Sequence, residues 1–312
     1  MIAVADEQQR SDRSLPHDAV TIAAAAFLAC VLEARAPKPG NVSPGHRFGD
    51  VGYDDFFESA VAIRGPLEGA GTRPLGETIL QAVEATSRAV GANTNLGIVL
   101  LLTPLVRAAG WLDAKSVRQH GRLKALRATL RRVLADTTVQ DARQVFRAIR
   151  LANPGGLGRA DEQDVATEPT VTLLEAMRLA AYRDGVAREY ATAFATTFDV
   201  AVPALMKARA DRLSWDDAIV ETFLTVLAAA PDTHIARRGG MELARRVSVL
   251  AHHALRTGGV RTEAGQREVA EMAAKLNDTR NTTNPGTSAD LMAAAIFVLL
   301  LVCDENWHQE ES

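Results

Sequence analysis

Apolar residues along this chain recur at intervals of three and four, and nowhere at two. Over 75–90, Ile79, Leu80, Val83 and Ala89 fall on one side of a helix, with polar residues opposite. Phe56, Phe57, Ala60 and Ile63 do the same over 53–63. Two runs are apolar nearly all round, an alanine-rich one at 17–35 and an almost uncharged one at 96–109, and both predict deeply buried helices. The same spacing predicts helices over 116–135, 139–152, 172–198 (bent near Gly185), 201–210, 215–229 and 262–280. An apolar helix follows Asp290. Pro231-Asp232-Thr233 is a helix start, because Asp or Thr accepts an orphan N–H. The helix it opens is expected to contain Gly239-Gly240, costing about 1 kcal/mol per glycine against alanine. There is no strand alternation, no βαβ rhythm and no fixed-period repeat. The expected fold is all-α, a single domain over 16–312 behind a polar tail at 1–15.

Composition narrows the function classes. The chain has 312 residues, 47% of them hydrophobic, enough for a large core and against disorder. A net charge of -3 offers no global field for nucleic acid or an anionic membrane, so small molecules are the expected partners. The local basic run at 116–135, with Arg118, Arg122, Lys124, Arg127, Arg131 and Arg132, reads as a solvated face or a ligand surface. Cys30 and Cys303 sit in apolar runs and read as buried thiols in a reducing compartment. Residues 1–13 lack a signal-peptide pattern, and 291–303 is too short to span a bilayer, so a cytoplasmic location is expected. Apolar helices also suit a homodimer.

The candidate chemistry lies in the polar breaks between helices. The stretch 35–50 carries three prolines and three glycines beside Lys38, Asn41, Ser43, His46 and Asp50. It reads as a solvated loop or as a phosphate cradle, with Gly40 supplying a conformation closed to other residues. Small polar residues and glycine lead directly into a helix at Gly40-Asn41, at Asn93-Thr94-Asn95 and at Asn284-Pro285-Gly286-Thr287-Ser288. Helix N-termini offer unpaired N–H groups to anions, and Arg237 and Arg238 add charge. Glu33, Asp50, Asp184, Glu189, Asp232 and Asp290 are either caps and surface charges or ligands of a Mg²⁺ that bridges a triphosphate. His252-His253 diverge on a helix and make a poor metal pair. Walker A, GxGxxG, HExxH and GxSxG motifs are absent.

Taken in order, these segments resemble the triphosphoribosyl-dephospho-CoA synthase family. The cues are Glu33 with Pro37-Lys38-Pro39-Gly40-Asn41-Val42, then 54–60, Asn93-Thr94-Asn95-Leu96-Gly97, Asn153-Pro154-Gly155-Gly156-Leu157-Gly158 and Arg183-Asp184. The segments 231–240 and 284–290 complete the series, so the likeness runs from about residue 20 to 303. It implies an all-α transferase of cofactor biosynthesis, joining ATP to the 2′-hydroxyl of 3′-dephospho-CoA with release of adenine. It also implies Mg²⁺ with the ATP. On that reading Glu33, Asp184 and Asp290 are catalytic, and Asp50, Asp184, Asp232 and Asp290 are metal candidates. Lys38, Gly40, Asn41, Ser43, His46, Asn93, Thr94, Asn95, Arg237, Arg238, Asn284, Gly286, Thr287 and Ser288 would bind substrate phosphates. The chain departs from the usual synthase pattern after Asn41, at Thr287, and after Asn93-Thr94, where a basic residue is missing. These departures look like a shorter branch in archaea and methylotrophic bacteria. A related step in tetrahydromethanopterin or methanofuran biosynthesis is therefore a second expectation. A non-enzymatic helical binding protein is a third.

Overall fold

Asp18 opens the first helix by accepting the Thr21 N–H at 2.7 Å. The computed structural model describes residues 18–47, 51–277 and 282–303, so the tail at 1–15 and Asp50 lie outside the described residues. Within them the chain forms fifteen α-helices and no strand. In order these are α1 (Ala19–Arg35), α2 (Tyr53–Glu68), α3 (Leu75–Val90), α4 (Leu96–Gly110), α5 (Ala114–His120), α6 (Arg122–Ala135) and α7 (Val139–Ala152). There follow α8 (Leu173–Ala180), α9 (Gly185–Thr192), α10 (Val202–Ala210), α11 (Trp215–Ala229) and α12 (Thr233–Gly239). The last three are α13 (Met241–Arg256), α14 (Glu263–Leu276) and α15 (Gly286–Val302). The all-α expectation holds.

Helix α15 occupies the centre. Thirteen of its seventeen residues are buried, so it has no solvent face to offer. Helices α1, α4, α10 and α11 pack around it. Amphipathic helices such as α3, α7 and α13 close the outside with one apolar face each. The basic run behaves as an outer face: Leu126, Leu130 and Val133 point inward while Lys124, Arg131 and Arg132 are exposed. Arg127 forms a two-pronged pair with Asp199, at 2.5 and 2.9 Å. On α2, Ala60 and Ile63 are buried as expected, but Phe57 is 40% exposed and meets Phe27 edge-on.

Three predicted helices are broken in the structure, each for a local reason. The run 116–135 divides at Gly121, whose φ of +75° no helix allows. The helix expected to carry Gly239-Gly240 ends there, because Gly240 takes φ +88° and starts α13. The run 172–198 breaks twice. Asp184 caps α9 through the Ala187 N–H at 2.9 Å, and beyond α9 both Ala193 and Phe194 adopt positive φ. That costly turn is held by the fully buried Glu189. Its carboxylate accepts the N–H groups of Thr196 and Thr197, each at 2.9 Å, and the Thr197 hydroxyl at 2.7 Å. Glu189 is therefore a structural cap. A π-helical turn, Thr197–Ala201, follows directly.

Packing of α3 on α7 turns on a close approach. The Gly76 N–H donates to Asp141 Oδ1 at 2.8 Å, and a Cβ on Gly76 would stand 2.4 Å from the Asp141 carbonyl oxygen. Gly76→Ala must push two backbones apart and should cost roughly 1–3 kcal/mol. Urea denaturation should show a lower midpoint at unchanged slope. Gly71→Ala, a site with open space around it, is the control and should leave the midpoint in place.

Candidate active site

The loop after α1 folds onto its own lysine. Lys38 is 2% exposed, and its ammonium lies 3.0 Å from Glu33 Oε1. It also donates to the Glu33 carbonyl and, at 3.1 Å, to the Ala36 carbonyl. An ammonium has three protons, and these three acceptors use them all. Lys38, expected to bind phosphate, instead locks the end of α1 and fixes Glu33. Gly40 does need its positive φ of +78°, but its α-carbon faces Leu276 and Pro285, which leaves no phosphate cradle there. Ser43 and His46 exchange backbone hydrogen bonds at 3.2 and 2.9 Å around the Pro44-Gly45 turn. Neither lines the cavity described below.

A single carboxylate joins the starts of α12 and α15. Asp232 Oδ1 accepts the N–H groups of His234 and Ile235, at 2.8 and 3.0 Å. Its Oδ2 accepts the Ser288 N–H at 2.7 Å and the Ser288 hydroxyl at 2.8 Å. With four bonds made and 3% exposure, Asp232 has no lone pair directed at a metal, and Ser288 is spent on it. Both are structural, against expectation. Beside them, Thr233 and Thr287 share a hydroxyl contact at 3.0 Å, and Thr233 accepts the Gly185 N–H at 2.9 Å. The start of α9 is thereby tied to those of α12 and α15.

These helix starts enclose a cavity of about 1090 Å³. Its wall takes in Glu33, Asn41, Asn93, Thr94 and Asn95 from the early part of the chain. Asp184, Arg237, Arg238, Asn284, Gly286, Thr287 and Asp290 come from the later part. Twelve expected site residues, scattered over some 260 positions, thus share one space; Lys38, Gly40, Ser43, His46, Asp232 and Ser288 do not line it. Arg237 reaches the Gly155 carbonyl at 3.2 Å and Asp184 Oδ2 at 3.3 Å, which holds the 153–158 loop against α12. Asn41 Nδ2 donates to Asn284 Oδ1 at 2.6 Å, while its own Oδ1 is buried and has no partner. That oxygen is an acceptor, so it suits a substrate hydroxyl or amino group and not a phosphate oxygen.

Two titratable groups on this wall are displaced in opposite directions. Burial, reinforced by the Glu33, Asp232 and Asp184 carboxylates, raises the pKa of Asp290 well above the usual carboxylate range, with Arg237 opposing. Its carboxyl lies so close to α4 that a Cβ on Gly97 would stand 1.9 Å from Oδ2. His234 moves the other way. Burial lowers its pKa below the ordinary 6.5, with Arg237 and Arg238 adding to the effect and Asn284 and Asp232 opposing it. His234 Nδ1 lies 2.9 Å from the Asn284 carbonyl. A carbonyl only accepts, so Nδ1 carries the proton and the Nε2 lone pair stays available. His234 is not among the residues the sequence marks for the site; its one signal there is its place directly after a capped helix start.

No group of three or more His, Cys, Asp or Glu side chains converges among the described residues. A protein-caged ion therefore has no seat there. Of the carboxylates expected to bind metal, Asp184 and Asp290 line the cavity.

Known proteins place this arrangement in context. The profile of the ATP:dephospho-CoA triphosphoribosyl transferase family matches residues 19–309. The chain is 28% identical over 253 residues to the 2-(5''-triphosphoribosyl)-3'-dephosphocoenzyme-A synthase of Pectobacterium atrosepticum, covering 81% of this chain and 71% of that one. A Vibrio cholerae protein carrying the same name is 26% identical over 302 residues, covering 89% and 87%. Among solved structures, an Archaeoglobus fulgidus protein that bears the synthase's name superposes with a TM-score of 0.59 at 29% identity. The superposition covers 80% of this chain and 98% of that one.

Two substitutions separate framework from chemistry. Lys38→Met leaves Glu33 buried without its partner and should lower folding stability by roughly 3–5 kcal/mol, read by urea denaturation. Asp290 has a raised folded pKa, so its stability contribution is present at low pH and is lost as pH rises through that value. Asp290→Asn should therefore melt higher than the wild type at neutral pH, by calorimetry. A lower melting temperature would remove the case for a desolvated carboxyl.

Proposed function

Because the chain belongs to the ATP:dephospho-CoA triphosphoribosyl transferase family, we propose that its cavity transfers the triphosphoribosyl group of ATP to the 2′-hydroxyl of 3′-dephospho-CoA. The observation that carries the chemistry is the opposed displacement of Asp290 and His234 on one wall. Asp290 holds a proton where an ordinary carboxylate has lost it, and His234 is neutral where it can accept one. In this reading His234 Nε2 takes the proton of the attacking hydroxyl as the new O–C1′ bond forms. Asp290 gives its proton to a ring nitrogen of adenine as the C1′–N9 bond breaks. Positive charge that builds on the ribose in between is opposed by the Glu33 carboxylate, held in place by Lys38. The triphosphate is not broken. It serves as a handle for Arg237, Arg238 and the N-termini of α4 and α15. Mg²⁺ bound with ATP would supply charge neutralisation at the triphosphate, beside Asp184.

Adenine release, followed by chromatography with Mg·ATP and 3′-dephospho-CoA, should require both substrates. If a folded, ATP-binding protein releases none, the acceptor is wrong, and pterin and furan intermediates become the next substrates to try. The rate should fall as pH drops below the ordinary imidazole value of 6.5, where His234 gains a proton. It should also fall as pH rises through the elevated pKa of Asp290. His234→Gln should cost about 10²–10⁴-fold in kcat and abolish the acid limb. An acid limb that survives in that variant would place the base elsewhere.

A further inference from the structure

Three of the large apolar side chains exposed on this protein stand on the wall of the same cavity. Leu179 on α8 is 41% exposed, Met241 at the start of α13 is 45% exposed, and Tyr182 in the turn between α8 and α9 is 78% exposed. An exposed leucine or tyrosine alone would call for no explanation. Three at the mouth of one cavity, interleaved with the Arg183 and Arg238 side chains that also line it, form an amphipathic rim. Tyr182, Leu179 and Met241 take no part in the chemistry assigned above.

We propose that this rim is the binding site for the remote, pantetheine-bearing end of the acceptor, with Tyr182, Leu179 and Met241 against the arm and Arg183 at its diphosphate. The proposal rests on the transferase reading of the cavity and adds to it the element that selects the acceptor. Its occupant follows from the geometry of the reaction. The acceptor hydroxyl must meet C1′ of ATP beside the inner carboxylates, so whatever lies beyond the acceptor's own nucleoside extends toward the mouth. ATP ends in charge at one side and in a leaving base at the other, and has no apolar arm to offer. The acceptor has a long one, with a thiol, methylenes and two amides, joined to a diphosphate. An apolar surface mixed with guanidinium groups is complementary to that combination. Contact with a non-reacting part of the substrate is also where an enzyme can draw selectivity, because it adds affinity to one acceptor and none to its truncated relatives.

The test compares two acceptors that share the reacting ribose and the diphosphate: 3′-dephospho-CoA and ADP, which lacks the arm. For the wild type, kcat/KM for adenine release should favour 3′-dephospho-CoA. In Tyr182→Ala and in the pair Leu179→Ser with Met241→Ser, that preference should shrink by about tenfold or more. The loss should appear in the KM for 3′-dephospho-CoA. Equal losses with both acceptors, or no loss with either, would overturn the assignment while leaving the transferase reading intact. A wild type that releases adenine with neither acceptor would remove the transferase reading and this inference with it. Sedimentation of the same variants provides an independent check. A change in assembly state would mean that the rim is covered by a second copy of the chain, which also overturns the proposal.

Discussion

The cavity wall depends on one carboxylate whose four hydrogen bonds are all made within the protein. Asp232 accepts hydrogen bonds from two backbone groups at the start of α12 and from the backbone and side chain of Ser288 at the start of α15. A capping side chain ordinarily settles the donors of one helix. Here both oxygens are used, one for each helix, and two helix starts are fixed to each other within hydrogen-bond tolerance. The positions of His234, Asn284, Thr287 and Asp290 are consequences of that junction. The threonine pair then ties in α9, and the close approach of Gly97 to Asp290 ties in α4.

A second constraint is the disposal of charge. Lys38 and Glu33 are buried together, and a buried pair gains little over an apolar pair of the same size. What the pair provides here is a carboxylate held at the cavity wall with its ammonium satisfied by two further carbonyls. Arg237 and Arg238 share the cavity wall with the carboxylates Glu33, Asp184 and Asp290, so groups of both signs face one space.

Much of this was legible in the sequence, because the signals were local. Helices α3, α7 and α11 have the boundaries that their periodicity predicts. The convergence of the Asn93, Asn284 and Arg237 segments was foreseen from the small polar residues that open helices. What escaped was decided by tertiary contact. Nothing near Lys38 in the chain shows that its three protons are used internally, and nothing near Asp232 shows that Ser288, 56 positions away, will fill its second oxygen. The breaks at Gly121, Ala193 and Gly240 depend on positive φ values that a continuous helical pattern hides. His234 looked like an ordinary first-turn residue until the Asn284 carbonyl fixed its tautomer.

Helix α15 has a consequence for how the chain comes into being. It is the last of the described helices to be synthesised, and its side chains fill the space between α1, α4, α10 and α11. Until it emerges, those four helices have apolar faces with nothing to cover them. The same segment brings Asn284, Thr287 and Asp290 to the cavity wall. Completion of the core and completion of the site are therefore one event. A growing chain that still lacks this segment lacks both the centre of its core and one side of the cavity wall.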